Sequence, residues 1–165
     1  QFLANTNQLM ASFADQAAIA VRNARLYEAL VRENVQLEGI IDSIADGVMI
    51  LDDQWRVVRM NRALSALTGW TPEEARNHPC GAVLHLQSSR GHDFCADREP
   101  PALTKKHYVE GDIVRDGHPR RSVAVMFAPL FDQQGQLLNI LVDVNDITRF
   151  REAEAMQSTF ISVIS

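Results

Sequence analysis

Two thiols and five imidazoles are the side chains best suited to chemistry in these 165 residues: Cys80 and Cys95, with His78, His85, His92, His107 and His118. Thiolate sulfur and imidazole nitrogen are ligands for zinc or for an iron–sulfur cluster, usually in sets of four. Cys80 and Cys95 with His85 or His92 would be such a set here, but the two thiols are fifteen residues apart. No Cys-x-x-Cys or His-x-x-x-His spacing occurs, so no common metal signature is matched. There is no glycine-rich phosphate loop, and no Ser, His and Asp arrangement suggests an activated nucleophile. The five histidines fall in or beside polar stretches, where a solvated imidazole is the ordinary state. The expectation is two unligated thiols, no metal and no catalytic residue.

Composition narrows the partners. The chain is 46% hydrophobic with a net charge of -5 and a pI near 5.5, so a general attraction to nucleic acid or anionic lipid is not expected. Lys105, Lys106, Arg115, Arg120 and Arg121 lie close in sequence, but a solvated face accounts for them. No apolar run approaches the roughly 20 residues that cross a bilayer, and no signal peptide is visible. Two cysteines make no disulfide framework, which fits a reducing, cytoplasmic setting.

The elements that must position any site are legible as periodicities. Leu9, Phe13, Ala20, Leu26, Leu30, Leu37, Ile40 and Ile44 recur at three-, four- or seven-residue steps with few gaps, which predicts helix through residues 1–46. Residues 2–37 alone would span roughly 54 Å at about 1.5 Å per residue. A small domain cannot cover so long a stripe, so a parallel homodimeric coiled coil is expected ahead of a helix folded back on a sheet.

Residues 47–148 read as one α+β domain. Gly47–Leu51 and Trp55–Met60 predict strands joined at Asp52-Asp53-Gln54, and Asn61–Leu67 predicts a short helix closed by Gly69. Thr71-Pro72-Glu73-Glu74 has the order of a helix cap, a first-turn proline and first-turn acids. Residues 77–98 read as loop with at most short helical turns, and Glu99–Tyr108 as a helix entered through Pro100-Pro101. Strands are predicted over Asp112–Arg115, Ser122–Phe131 and Gln136–Asp146, with turns at Asp116-Gly117 and Gln134-Gly135. This order implies a five-stranded antiparallel sheet with helices on one face.

At Asp146-Ile147-Thr148 the period changes. Leu138, Ile140, Val142 and Val144 alternate with Asn139, Leu141, Asp143 and Asn145 as in a half-buried strand, whereas Phe150, Ala153, Met156, Phe160, Ile161 and Ile164 mark one helix face. Asp146 and Thr148 are short polar residues of the kind that satisfy the first amides of a helix. Residues 149–165 are therefore read as the start of an output helix.

Several stretches together resemble a PAS domain. Asp46–Asp52, Asn61-Arg62-Ala63-Leu64 and Thr68–Glu74 resemble its first half. Arg115-Asp116-Gly117, Ala128–Asp132, Gly135 and Asp146-Ile147-Thr148 resemble its second. The likeness covers residues 40–148 in the family's order. Phe13–Val21 with Asn23–Glu28 is similar to the closing helix of a GAF domain. Ser158–Ser165 is similar to the approach to the phosphoacceptor histidine of a sensor histidine kinase. The chain is thereby expected to be the middle of a longer kinase.

The resemblance carries implications. Cys80 is near where light-sensing (LOV) members carry the cysteine that bonds flavin, but their Asn-Cys-Arg-Phe-Leu-Gln reads His78-Pro79-Cys80-Gly81-Ala82-Val83 here. Ser122 and Val144 replace the amides that would pair the ring's polar edge, and an unpaired buried edge is costly, so flavin is not expected. Some relatives hold haem through one histidine, for which His92 or His107 would be the candidate. The interior is expected to be an apolar pocket lined by Val48, Ile50, Val58, Met60, Leu67, Leu103, Val123, Val125, Phe127, Ile140 and Val142, empty or holding an unknown small molecule. Asp146 and Thr148 would couple it to the output helix. The implied whole is a two-component kinase that uses ATP and Mg to phosphorylate its own histidine and then a response regulator. A ligand-free dimerisation spacer, or a PAS module serving a cyclase or a transcription activator, are the alternatives.

Overall fold

A computed structural model of the chain describes residues 1–88 and 103–165. They form two compact units, Gln1–Ile41 and Asp42–Ser165. The first is helical: α1 runs unbroken from Phe2 to Ser43, roughly 63 Å at about 1.5 Å per residue. No proline interrupts it, and none of its residues is buried. Leu9, Phe13, Leu26, Leu30, Leu37 and Ile40 are all exposed, so the apolar stripe lies open.

The second unit is built on an antiparallel sheet. Its strands are β1 (Gly47–Leu51), β2 (Val57–Met60), β3 (Leu86–Gln87), β4 (His107–Ile113), β5 (Arg121–Phe131) and β6 (Leu137–Asp146), in the order β2-β1-β6-β5-β4-β3. Short helices α2 (Arg62–Thr68), α3 (Pro72–Ala75) and α4 (Cys80–Leu84) connect β2 to β3, and α5 (Thr148–Ile164) leaves from β6. Alternation sets the inner face of the long strands. Val123, Val125 and Phe127 of β5 are buried, as are Ile140, Val142 and Val144 of β6. Val125 stands opposite Val144, and Phe127 opposite Val142. Leu64, Ala75, Cys80, Val83 and Leu84 from the helices close the same core.

One buried side chain joins α2 to β1. Asn61 caps α2, its Oδ1 accepting from the amides of Leu64 (3.0 Å) and Val48 (2.8 Å). Its Nδ2 donates to the Asp46 carbonyl (2.9 Å), so a single amide side chain serves both elements. Thr71 and Glu74 form the reciprocal capping box of α3, with Pro72 behind the cap.

The sheet departs from the expected five strands by one. β3 has only two residues, Leu86 and Gln87, paired with Ile113 and Asp112, and two residues are too few for a period to show. The backbones approach so closely there that a Cβ on Gly111 would meet the Gln87 carbonyl oxygen at 2.5 Å, which only glycine avoids. The helix expected over Glu99–Tyr108 is also corrected. Residues 103–106 are not helical, and His107 and Tyr108 open β4, while residues 99–102 lie outside the described part. The strand expected over Asp112–Arg115 accordingly lies earlier, at His107–Ile113. Its alternate positions Tyr108, Glu110 and Asp112 are mostly polar, which hid its period.

Candidate functional site: the junction of sheet and outgoing helix

β6 ends at Asp146 and α5 begins at Thr148, so the handover falls where the sequence period changes. The geometry is a small polar network. Asp146 Oδ1 accepts from the Thr148 amide (2.9 Å) and from the Thr148 hydroxyl (2.5 Å), satisfying one of the free amides of the first turn. The Thr148 hydroxyl in turn accepts from the Ser122 amide on β5 (3.0 Å), and the Ile147 amide donates to the Ser122 carbonyl (2.8 Å). Arg121 Nη1 lies 3.6 Å from Asp146 Oδ2.

Asp146 thus serves the helix start as its residue type suggested. Thr148 does not cap its own helix, and the residue at the cap position is Ile147, without a side-chain cap bond. Thr148 turns back to β5 because Ser122 presents both backbone groups there, and the hydroxyl replaces a rung of the ladder that β6 can no longer supply. The result is a pin between two strands and a helix.

A second tie lies one turn on. Arg151 of α5 makes an ion pair with Glu110 of β4, and the Tyr108 hydroxyl donates to Glu110 Oε1 (2.7 Å). The Tyr108 hydrogen bond, with Arg151 beside it, holds the Glu110 carboxyl below its ordinary range, and the same bond raises the Tyr108 phenol. A cleft of about 370 Å³ lies between Glu110, Gly111, Asp112, Ser122, Ile147 and Arg151. Nothing local marks Glu110 and Arg151 as partners, since 41 residues separate them.

The expected interior residues fall into three groups. Met60, Leu103, Val123, Val125, Phe127, Ile140 and Val142 are buried together in the core, and Leu67 packs partly against it. Val48 is buried outside that cluster, and Ile50 is half-buried opposite Leu141 on the outer face. The inward residues of β1 are Met49 and Leu51. Val58 is 44% exposed: the register between β1 and β2 slips by one residue beside it, so Val57 and Met60 both turn inward and Val58 is the extra residue of a bulge. Ile50 and Val58 are therefore not interior residues.

Cys80 is buried at the first turn of α4, its amide donating to the Trp55 carbonyl (2.9 Å). Cys95 and His92 lie outside the described residues. His107 is exposed at the start of β4, away from the core. Among the described residues, no three His, Cys, Asp or Glu side chains gather as a metal-binding set, and no helix is long and apolar enough to cross a membrane.

Residues 41–152 match the family described as PAS fold. The probable diguanylate cyclase DgcE of Escherichia coli K12 is 28% identical over 130 residues, 78% of this chain and 12% of that protein. The cell-division control histidine kinase PdhS of Brucella ovis is 26% identical over 147 residues, 84% of this chain and 13% of that protein. The chain thus spans 12–13% of the length of these curated relatives. Among solved structures, the PAS domain of Bordetella pertussis BvgS matches with a TM-score of 0.53 at 19% identity, over 81% of this chain and 99% of that one. Likeness at that identity carries the fold alone.

Proposed function

Because the chain belongs to the PAS fold family, we propose that it is the sensory and relay module of a two-component sensor histidine kinase, passing a change in the sheet to α5 through Asp146-Ile147-Thr148. The observation that carries this reading is the Ser122–Thr148–Asp146 bridge, through which one hydroxyl joins β5 to the β6–α5 corner. A displacement of β5 or β6 either carries α5 with it or strains that bridge. In this reading the module works in the cytoplasm after a GAF domain. The kinase it serves takes the phosphate of ATP, with Mg, onto its own histidine and then onto a response regulator. Parallel homodimerisation uses the open stripes of α1 and of α5, where Phe150, Met156, Phe160 and Ile161 are exposed.

In the kinase that carries this module, Asp146→Ala or Thr148→Ala shifts basal autophosphorylation, while the melting of the module changes by only about 1 kcal/mol. Unchanged activity and unchanged response in both variants would reduce the junction to a plain linker. The similarity to DgcE favours a second reading, in which the same module governs a nucleotide cyclase. Joining the chain to each output in turn and measuring phosphohistidine against cyclic dinucleotide separates the two. A spacer without sensory role predicts that neither output responds to substitutions in the core.

A further inference from the structure

An open groove of about 870 Å³ lies on the second unit, away from the α5 junction, between the turn after α2, the end of α4 and the β4–β5 turn. Among the described residues its titratable lining is Arg115, His78, His85 and His118 with Glu74 and Asp116. Glu74 is already committed: its Oε2 accepts from the Thr71 amide (3.1 Å) and hydroxyl (3.0 Å), and those bonds hold its carboxyl below its ordinary range. Among the described residues the groove therefore holds one permanent cation and three imidazoles beside two carboxylates, of which Glu74 is tied to Thr71.

Arg115 is the most telling of these. It is half-buried and lies close against Gly69, where a Cβ would meet the guanidinium carbon and both terminal nitrogens. Gly69 closes α2 with φ 79°, and that conformation is what favours glycine there. The polar partner found for the guanidinium is His118, Nη2 to Nε2 3.3 Å, and among the described residues no carboxylate lies within 4.0 Å of it. A half-dry guanidinium without an anion is incompletely compensated, and its planar fork suits a carboxylate or phosphate.

The rest of the groove has the matching shape. Trp70, half-buried beside Gly69, stands against the His78 ring with centroids 5.1 Å and planes 53° apart, giving the groove an aromatic side. His85 ends α4 at φ 42°, a conformation rarely adopted by a residue with a Cβ. Such backbone outliers gather where a side chain must be aimed.

We propose that this groove binds a small molecule that carries an oxyanion, a carboxylate or a phosphate, on a flat apolar body. Arg115, with His118 beside it, takes the oxyanion and Trp70 takes the body. The claim is independent of which output the module serves. It gives the sensor an outward-facing site seven residues before Ser122, on the turn that feeds β5.

The test is titration of the 165-residue chain with benzoate, benzamide and inorganic phosphate, followed by calorimetry and amide and indole NMR. Benzoate or phosphate is expected to bind saturably and shift the Trp70 indole, leaving the Trp55 indole, which packs on Phe127, unmoved. Binding by benzoate alone assigns a carboxylate ligand; binding by phosphate alone assigns a phosphate ligand. Arg115→Gln should weaken binding about tenfold or more, the scale of one charged hydrogen bond, and His118→Gln by less, with unchanged melting. His118→Gln also keeps the test open if the Arg115 variant folds poorly. Three results would overturn the proposal: neither anion binding up to roughly 10 mM, benzamide binding as tightly as benzoate, or both variants binding like the parent chain.

Discussion

The inner face of the sheet and its exit at α5 are held by opposite chemistries. Inside, Phe127, Val125, Val142 and Ile140 are wholly buried and meet Leu64 and Leu84 across the layer. At the exit the ties are polar and partly wet: the Thr148 hydroxyl, two carboxylates and two arginines. A large buried side chain contributes several kcal/mol, an ordinary hydrogen bond about 1 kcal/mol, and an exposed ion pair ~0–1 kcal/mol. The comparison teaches where change is cheap. The sheet can hold its fold while the corner opens, because the corner is fastened by the smallest increments in the unit. Relay elements are drawn from that low-stability end.

The largest effect expected is therefore inside. Phe127→Ala should cost about 3–5 kcal/mol in chemical denaturation, since the ring is fully buried and touches Trp55 with centroids 5.6 Å apart. A loss below about 1 kcal/mol would mean a poorly packed interior, and the contrast with the exit would fail. Asn61→Ala comes next, at about 2–3 kcal/mol, because it removes the cap of α2 and leaves the buried Val48 amide without its side-chain acceptor. Asn61→Asp should not recover this loss, since it turns the Nδ2 donor that faces the Asp46 carbonyl into a buried, charged acceptor.

Legibility followed the same division. The parity of β5 and β6 could be read because each long strand is buried on one face, so Val125 and Met126 differ in burial as they differ in position. β1 could not be read that way. Val48, Met49, Ile50 and Leu51 are apolar on both faces, and β1 pairs on both edges, so the sequence contains no alternation to choose Met49 and Leu51. Val58 was unreadable because a bulge resets the period within four residues. At the exit, Asp146 and the change of period were visible. The turn of Thr148 towards Ser122, 26 residues away, depends on which strand lies alongside. The Arg151–Glu110 tie is of the same kind, and so is the meeting of Arg115 with Gly69. Contacts between distant segments leave no spacing behind in one sequence.

Smaller effects sharpen the comparison from the outside. Tyr108→Phe removes the hydrogen bond that most lowers Glu110. A lowered carboxyl contributes stability that is present above its unfolded pKa and lost as pH falls through the folded one. The variant should therefore lose this contribution at a higher pH than the parent chain, visible as an earlier acid-side fall in Tm. Raising salt should leave most of the difference, because it weakens the exposed Arg151–Glu110 pair in both proteins alike and not the phenol–carboxylate hydrogen bond. An identical acid limb in both proteins would leave Glu110 out of the exit's fastening.

Asp143 gives the smallest effect and the opposite sign. It lies exposed on the outer side of β6, between Val142 and Val144, and the loss of some of its hydration to the surrounding chain, with Asp46 near it, raises its carboxyl above the ordinary range. For an acid raised on folding, the folded state binds the proton more tightly than the unfolded chain. The stabilising contribution is thus full below the unfolded pKa and disappears as pH climbs through the raised folded value. At neutral pH the residue is a charged group in a site that resists charge. Asp143→Asn keeps the shape and removes the charge, so it should raise Tm at neutral pH and give no gain in acid, where the parent residue is already protonated. The gain should stay within the ~0.5 kcal/mol typical of surface substitutions. Thermal melts across the acid-to-neutral range measure it, with Tyr108→Phe as the counterpart whose loss lies on the acid side. A gain for Asp143→Asn that persists undiminished into acid would remove charge as its cause and leave outer-face packing as the explanation.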